Sequence, residues 1–169
     1  MLDDLLESTR AGLAGLSLPA ALQADALSHI ELWLTSPAFR AYQPQLYALI
    51  EAGRWASLAD CFYQMLPFGT GGRRGRVGIG PNRFNPFTLG SSVQGHAAFL
   101  RRTRPEGPLS VVIAYDVRCF RDVNEALIPD VPGPLLGLSS RDFANIAAEV
   151  YAGAGITVWM PEGGEPMST

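Results

Sequence analysis

The sequence predicts an α/β fold preceded by a helical N-terminal extension. Two observations carry this. From residue 109 onward, a β-branched apolar run, a helical pattern and a second short apolar run follow in the order of a βαβ unit. Residues 2 to about 63 instead read as helical. The length of 169 residues suits one compact domain, or one domain with a helical lead-in.

The elements follow in order. Leu5, Leu13 and Leu16 form a weak stripe. Residues 19–35 place Leu22, Ala26, His29, Ile30 and Trp33 at helical spacing. Ser36 is a candidate N-cap with proline at the first helical position. The helix it starts puts Phe39, Tyr42, Leu46, Tyr47 and Ile50 on one face and ends at Gly53. A short helix over residues 55–63 leads into a glycine-rich run, residues 66–85. Residues 88–102 are helical, with Leu89, Val93, Ala97 and Leu100 on one side. Residues 109–115 read as a strand buried on both faces. Residues 139–152 form a helix capped by Ser139 or Ser140, with Phe143, Ile146, Ala147 and Val150 inward, stopped by Gly153 and Gly155. Residues 156–160 are a second strand, parallel to the first. The connection over 118–138 is long, holds Pro129, Pro132 and Pro134, and has room for a short helix at 122–127. Two parallel strands cannot bury their own faces. A further strand, for which residues 75–80 are the candidate, or a longer parent protein is therefore expected.

Charge is distributed unevenly. Between Asp60 and Glu106 there is no acidic residue, yet Arg73, Arg74, Arg76, Arg83, Arg101, Arg102 and Arg104 fall there. The rest of the chain holds all 16 acids and six arginines, and the net charge is −3. A local reversal of sign points to an anion site. Four of those arginines lie in the glycine-rich run, where bare backbone and planar guanidinium forks match phosphate. The run is no Walker A loop, because Gly75 is followed by Arg76 and Val77. It also fails the dinucleotide fingerprint. From composition alone, a glycine-rich turn with solvated arginines and an anion site both stay open.

Other classes are excluded more simply. No apolar run reaches the roughly 18 residues of a membrane span. The start Met-Leu-Asp-Asp is acidic where a secretory signal is basic, so a cytoplasmic protein is expected. Net charge and the lack of an aromatic–basic motif speak against nucleic acid. Cys61 and Cys119 lack metal or redox spacing and are expected as reduced, buried thiols. All 13 basic residues are arginine, which rules out a lysine Schiff base. Trp33, Trp55 and Trp159 are expected in the core, and His29 and His96 as structural or surface residues.

Phe68-Gly-Thr-Gly-Gly-Arg-Arg-Gly75, followed by Gly80-Pro-Asn-Arg-Phe-Asn85, resembles the opening of the α-D-phosphohexomutases. Further pieces fall in the family's order. They are Thr88 with Gln94-Gly95, Val112-Ile-Ala-Tyr-Asp-Val-Arg118, Ser139-Ser-Arg-Asp-Phe-Ala144, Ala152-Gly-Ala-Gly-Ile-Thr-Val158 and Pro166-Met-Ser-Thr169. The likeness covers roughly residues 55–169 and is specific in combination. It is closest to the phosphoglucomutase and phosphopentomutase branch. It implies an incomplete three-layer α/β/α domain with a mainly parallel sheet over 64–169, after a helical extension over 1–63.

The resemblance also implies a chemistry. In this family a phosphoserine in a Thr-Ala-Ser-His-Asn-Pro loop exchanges phosphoryl groups with a hexose phosphate through a sugar bisphosphate. Magnesium on an Asp-Gly-Asp-x-Asp-Arg loop assists. Carried over residue by residue, it assigns phosphate or substrate binding to Arg74, Thr70, Gly71, Gly72 and Arg118. Arg83, Asp116 and Arg73 are supporting candidates. Neither loop sequence occurs in residues 1–169. The expectation is therefore no catalytic or metal-binding residue and no cofactor within this chain, with Mg2+ and a bisphosphate primer implied for the full-length enzyme. The chain is expected to be the N-terminal portion of a phosphosugar mutase, inactive alone, with the remaining mutase domains as partners. The alternative is a stand-alone phosphosugar-binding module.

Overall fold

The computed structural model describes residues 2–121 and 126–161. They form two compact units, one from Met1–Asn85 with Asp122–Leu136, the other from Pro86–Arg121 with Gly137–Thr169.

The first unit is built from four helices: α1 (Leu2–Ala14), α2 (Ala20–Thr35), α3 (Gln43–Glu51) and α4 (Trp55–Phe62). Its core is an aromatic cluster. Trp33 stacks on Phe39 with ring centroids 4.2 Å apart and meets Tyr42 and Phe62 edge-on. Leu13, Ile30, Leu46, Ile50 and Leu58 are buried beside it. Each such side chain contributes about 1.5–3 kcal/mol by leaving water. His29 Nδ1 lies 2.7 Å from the carbonyl of Phe62 and satisfies an acceptor in the last turn of α4.

The helix expected from Ser36 to Gly53 is broken in two. Ser36 caps as predicted, but only a 3-10 turn, Pro37–Phe39, follows before α3. Pro44 explains the break, since its ring would clash with the carbonyl four residues back in a continuous helix and its nitrogen has no proton to donate. The turn also shifts the buried face. Tyr47, expected inward, is exposed, while Gln45 and Leu49 are buried.

Beyond α4 the glycine-rich run makes a two-residue hairpin, β1 (Phe68–Gly69) and β2 (Gly72–Arg73), paired antiparallel. Residues 75–80 do not form the expected strand. Val77 makes a single bridge to Phe84.

The second unit contains the expected βαβ unit. Helix α5 (Pro86–Thr103) packs on α6 (Ser140–Gly153), and β3 (Ser110–Val112) pairs parallel with β4 (Thr157–Trp159). Ser139 starts α6 with a full capping box, its hydroxyl accepting from the Asp142 N–H while the Asp142 carboxylate accepts from the Ser139 N–H. The strands are shorter than expected, and the sheet is not buried on both faces. Val111 and Val158 are half-buried on the side of their alternation away from solvent. On the other side Val112 is 71% exposed and Trp159 is 62% exposed, so Trp159 is not a core residue. The described strands thus form two separate pairs, one antiparallel and one parallel, in a helix-rich α/β chain.

The long connection is tied at its base, where Cys119 bridges Ser139 and the Phe120 N–H donates to the Leu138 carbonyl at 2.8 Å. Its residues 126–136 pack with the first unit. The Gln45 side chain donates to the carbonyls of Ile128 (2.9 Å) and Val131 (2.7 Å) and accepts from the Ile128 N–H (2.9 Å). Leu135 is fully buried there. Residues 122–125 of the expected short helix lie outside the described residues, as does the Pro166–Thr169 match. Cys119 is exposed rather than buried.

Candidate anion-binding loop

The glycines of the run divide by role. A Cβ on Gly75 would stand 2.7 Å from Leu66 Cδ1, and one on Gly80 would stand 2.5 Å from the Cys61 carbonyl oxygen. These two glycines let the chain pack closely against Leu66 and the end of α4. Gly71 and Gly72 are different, because a Cβ at either would meet only open space. They sit at the hairpin turn with Thr70, where bare backbone faces outward.

Around that turn lies a concavity of about 340 Å3, lined by Pro67, Gly69, Thr70, Gly71, Gly72 and Arg74. Arg74 is exposed and, among the described residues, has no hydrogen bond, ion pair or ring contact. An unpaired guanidinium beside a hydroxyl and unscreened main chain can receive an oxyanion through several charge-assisted bonds at once. Arg73 is half-buried opposite Phe68 in the hairpin.

Arg83 stands apart from this arrangement. It forms an ion pair with the Asp60 carboxylate and donates to the carbonyls of Asp60 (3.2 Å) and Asn82 (3.0 Å). It also touches Cys61, whose thiol is pushed up to about 11, mainly by burial. Two asparagines that sequence reasoning left unassigned fix the same segment. Buried Asn85 donates to the carbonyls of Gly78 (3.0 Å) and Gly80 (2.9 Å), and Asn82 donates to that of Asp60 (2.8 Å). Their signal was present in the Gly-Pro-Asn-Arg-Phe-Asn turn, since asparagine amides commonly satisfy turn backbone.

Asp116 and Arg118 lie in the second unit, beyond the carboxyl end of β3. The Asp116 carboxylate accepts from the Ser140 hydroxyl, from the Arg118 N–H at 3.0 Å and from Arg118 Nε at 2.6 Å. The Ser140 bond leads in holding this carboxyl below its usual range. The Arg118 side chain is 85% exposed, so its remaining donors face water. Ser140 therefore belongs to the strand-end cluster, while Ser139 alone caps α6.

The chain thus carries a glycine hairpin with an unpaired arginine and, later in the sequence, a strand-end Asp-x-Arg beside a capped helix. Comparison with curated proteins gives the family. The chain is 31% identical to a phosphopentomutase from Mus musculus over 113 residues, which are 66% of this chain and 16% of that protein. It is 31% identical over 132 residues to a phosphoglucomutase from Staphylococcus aureus (strain bovine RF122 / ET3-1), covering 78% of this chain and 19% of the relative. A phosphoglucomutase from strain USA300 of the same species is 34% identical over 101 residues, 60% of this chain and 14% of the relative. No protein-family model and no solved structure matches. The chain belongs to the α-D-phosphohexomutase family. It spans less than a fifth of the length of these relatives.

Proposed function

We propose that this chain supplies the phosphate-binding entry loop of a phosphosugar mutase that interconverts hexose phosphates, such as glucose 1-phosphate and glucose 6-phosphate. The observation that carries the reading is Arg74, without a partner on a concave glycine hairpin, in a chain whose relatives are named phosphoglucomutase and phosphopentomutase. Phosphoryl transfer needs positioning and charge neutralisation more than covalent chemistry from the protein. Arg74 would offer N–H donors to the phosphoryl oxygens, Thr70 a hydroxyl, and Gly71 and Gly72 their backbone. Arg118, held by Asp116, is a separate candidate cation within the second unit. Arg83, occupied by Asp60, has a structural role in this reading.

Residues 1–169 contain no Thr-Ala-Ser-His-Asn-Pro loop, so turnover is assigned to the chain acting with the rest of a mutase. The bisphosphorylated sugar primer is assigned to that assembly as well. Magnesium fits poorly here, since no three His, Cys, Asp or Glu side chains among the described residues stand close enough to hold an ion. The same reading makes β3 and β4 the start of a mainly parallel sheet in a three-layer domain. The bare side chains of Val112 and Trp159 support a further layer there. Among the described residues no helix is long and apolar enough to cross a membrane.

Calorimetry with glucose 1-phosphate tests the proposal. Wild type should bind, and Arg74→Ala should weaken binding at least about tenfold, the scale of one charged hydrogen-bonding group. Equal heats for the two proteins would remove it. Binding without conversion to glucose 6-phosphate, with magnesium and a bisphosphate present, matches the proposal, whereas robust turnover by this chain alone would overturn the division of labour.

A further inference from the structure

Asp116 and Arg118 do not pair as a carboxylate and a guanidinium usually do. Left to themselves such groups form two parallel bonds, fork to fork. Here Arg118 reaches Asp116 through Nε alone, which donates to Oδ2 at 2.6 Å. The other oxygen, Oδ1, accepts from the Ser140 hydroxyl and from the Arg118 N–H at 3.0 Å. A carboxylate oxygen has two lone pairs, so Oδ1 is filled by these two donors. Among the described residues the terminal nitrogens of Arg118 make no hydrogen bond or ion pair, and the side chain is exposed.

The Ser140 hydroxyl is held in place by bonds that do not involve the guanidinium. Ser140 is the first residue of α6, whose start is fixed by the Ser139–Asp142 capping box. Its N–H donates to the Arg118 carbonyl at 2.8 Å, and the Cys119–Ser139 bridge lies next to that bond at the base of the long connection. Although Ser140 and Asp116 stand 24 positions apart in sequence, main-chain contacts therefore fix the hydroxyl against Oδ1. A second guanidinium bond to Asp116 would have to displace one of the two donors already on that oxygen.

We infer that Ser140 is a positioning residue: by occupying Asp116 Oδ1 it keeps Arg118 tethered through Nε alone, with both terminal NH2 groups open to an oxyanion. This rests on the reading of Arg118 as an anion-contacting cation and goes beyond it by naming the group that keeps the cation available. The tether sets the direction of the guanidinium, and the open end supplies the donors. The place suits a ligand contact, since it lies beyond the carboxyl end of β3, where open α/β sheets receive their ligands. Without the Ser140 hydroxyl, a lone pair on Oδ1 is released and the fork closes side-on over both oxygens of Asp116. The same arginine then becomes an internal ion pair with fewer donors to offer.

The test is NMR on the isotope-labelled full chain, following the guanidinium signals of Arg118, assigned by their loss in Arg118→Gln, during titration with inorganic phosphate. Far-UV circular dichroism checks that the Ser140→Ala and Ser140→Thr variants are folded. Two bonds to one carboxylate hinder rotation of a guanidinium about its Nε–Cζ bond, whereas one bond leaves it freer. In wild type, rotation should be fast and phosphate should shift the Arg118 signals. Ser140→Ala should slow the rotation and weaken the phosphate response at Arg118 by about tenfold, the scale of one charge-assisted bond. Ser140→Thr keeps the hydroxyl and should restore both. A role confined to starting α6 would move neither readout. Unchanged rotation or an unchanged phosphate response in Ser140→Ala, or no restoration in Ser140→Thr, would overturn the role of Ser140 while leaving Arg118 as the contact. No phosphate response at Arg118 in wild type would overturn the reading of Arg118 itself, and this inference with it.

Discussion

Replacing Gly80 with alanine should unfold the loop-bearing unit more readily than any other glycine change in the hairpin region. Gly80 has φ +103°, a conformation L side chains rarely adopt. Holding a non-glycine residue with positive φ costs about 1–2 kcal/mol. The added methyl would also stand 2.5 Å from the Cys61 carbonyl oxygen and 3.0 Å from Phe62 Cε2. Neither neighbour can step aside, because one is backbone and the other belongs to the aromatic cluster around Trp33. Overpacking of this kind costs about 1–3 kcal/mol. Together the loss is about 2–5 kcal/mol, a large share of a typical stability of about 5–15 kcal/mol. Urea unfolding followed by fluorescence of the buried Trp33 measures it. Gly71→Ala is the control, with open space around its Cβ and no positive φ, so it should change stability by no more than about 1 kcal/mol, in the stabilising direction if at all. A Gly80→Ala protein within about 0.5 kcal/mol of wild type would refute the argument.

Three further outcomes are expected. Gln45→Leu strands one N–H and two carbonyls of residues 126–136, each worth about 1–3 kcal/mol if left dry. The segment should then take up water and become the first site of proteolysis, and an unchanged cleavage pattern would count against the clasp. Cys119 is exposed while the Cys61 thiol is pushed up to about 11, so iodoacetamide at pH 8 should label Cys119 first and Cys119→Ser should abolish the fast phase. The Asp142 carboxyl is held below its usual range, first by the Ser139 hydroxyl and then by the Ser139 N–H. A depressed value means that the stabilisation of the α6 start is present above the unfolded carboxylate range near about 3.9 and is lost as pH falls through the lower folded value. Hydrogen exchange over the first turn of α6 between pH 2 and pH 5 should show this loss in wild type but not in Asp142→Asn.

Local signals in the sequence carried far. The helix of residues 19–35, the cap at Ser139 and the parallel pairing of the two short strands all follow from spacing and capping chemistry, which act over a few residues. The misreadings share a cause, dependence on partners distant in sequence. Pro44 split a helix whose apolar pattern looked continuous. Trp159 reads as core by residue type, but nothing in the described structure covers its side of the sheet. Within the glycine-rich run, Gly75 and Gly80 serve packing against Leu66 and Cys61, whereas Gly71 and Gly72, the two assigned to binding, have open space where a side chain would stand. Arg74 could be singled out by motif. That Arg83 is occupied by Asp60, 23 positions earlier, was visible only in three dimensions.

Trp159 makes the bare side of the parallel pair an optical sensor. An indole in water emits to the red and is readily quenched, whereas Trp33, sealed among Phe39, Tyr42 and Phe62, gives a steady blue background, and a Trp55→Phe change removes the third, half-buried indole. Any polypeptide that settles over Val112 and Trp159 will shift that red component and protect it from iodide. The protein thus carries its own label for any chain that packs there, and no dye need be attached.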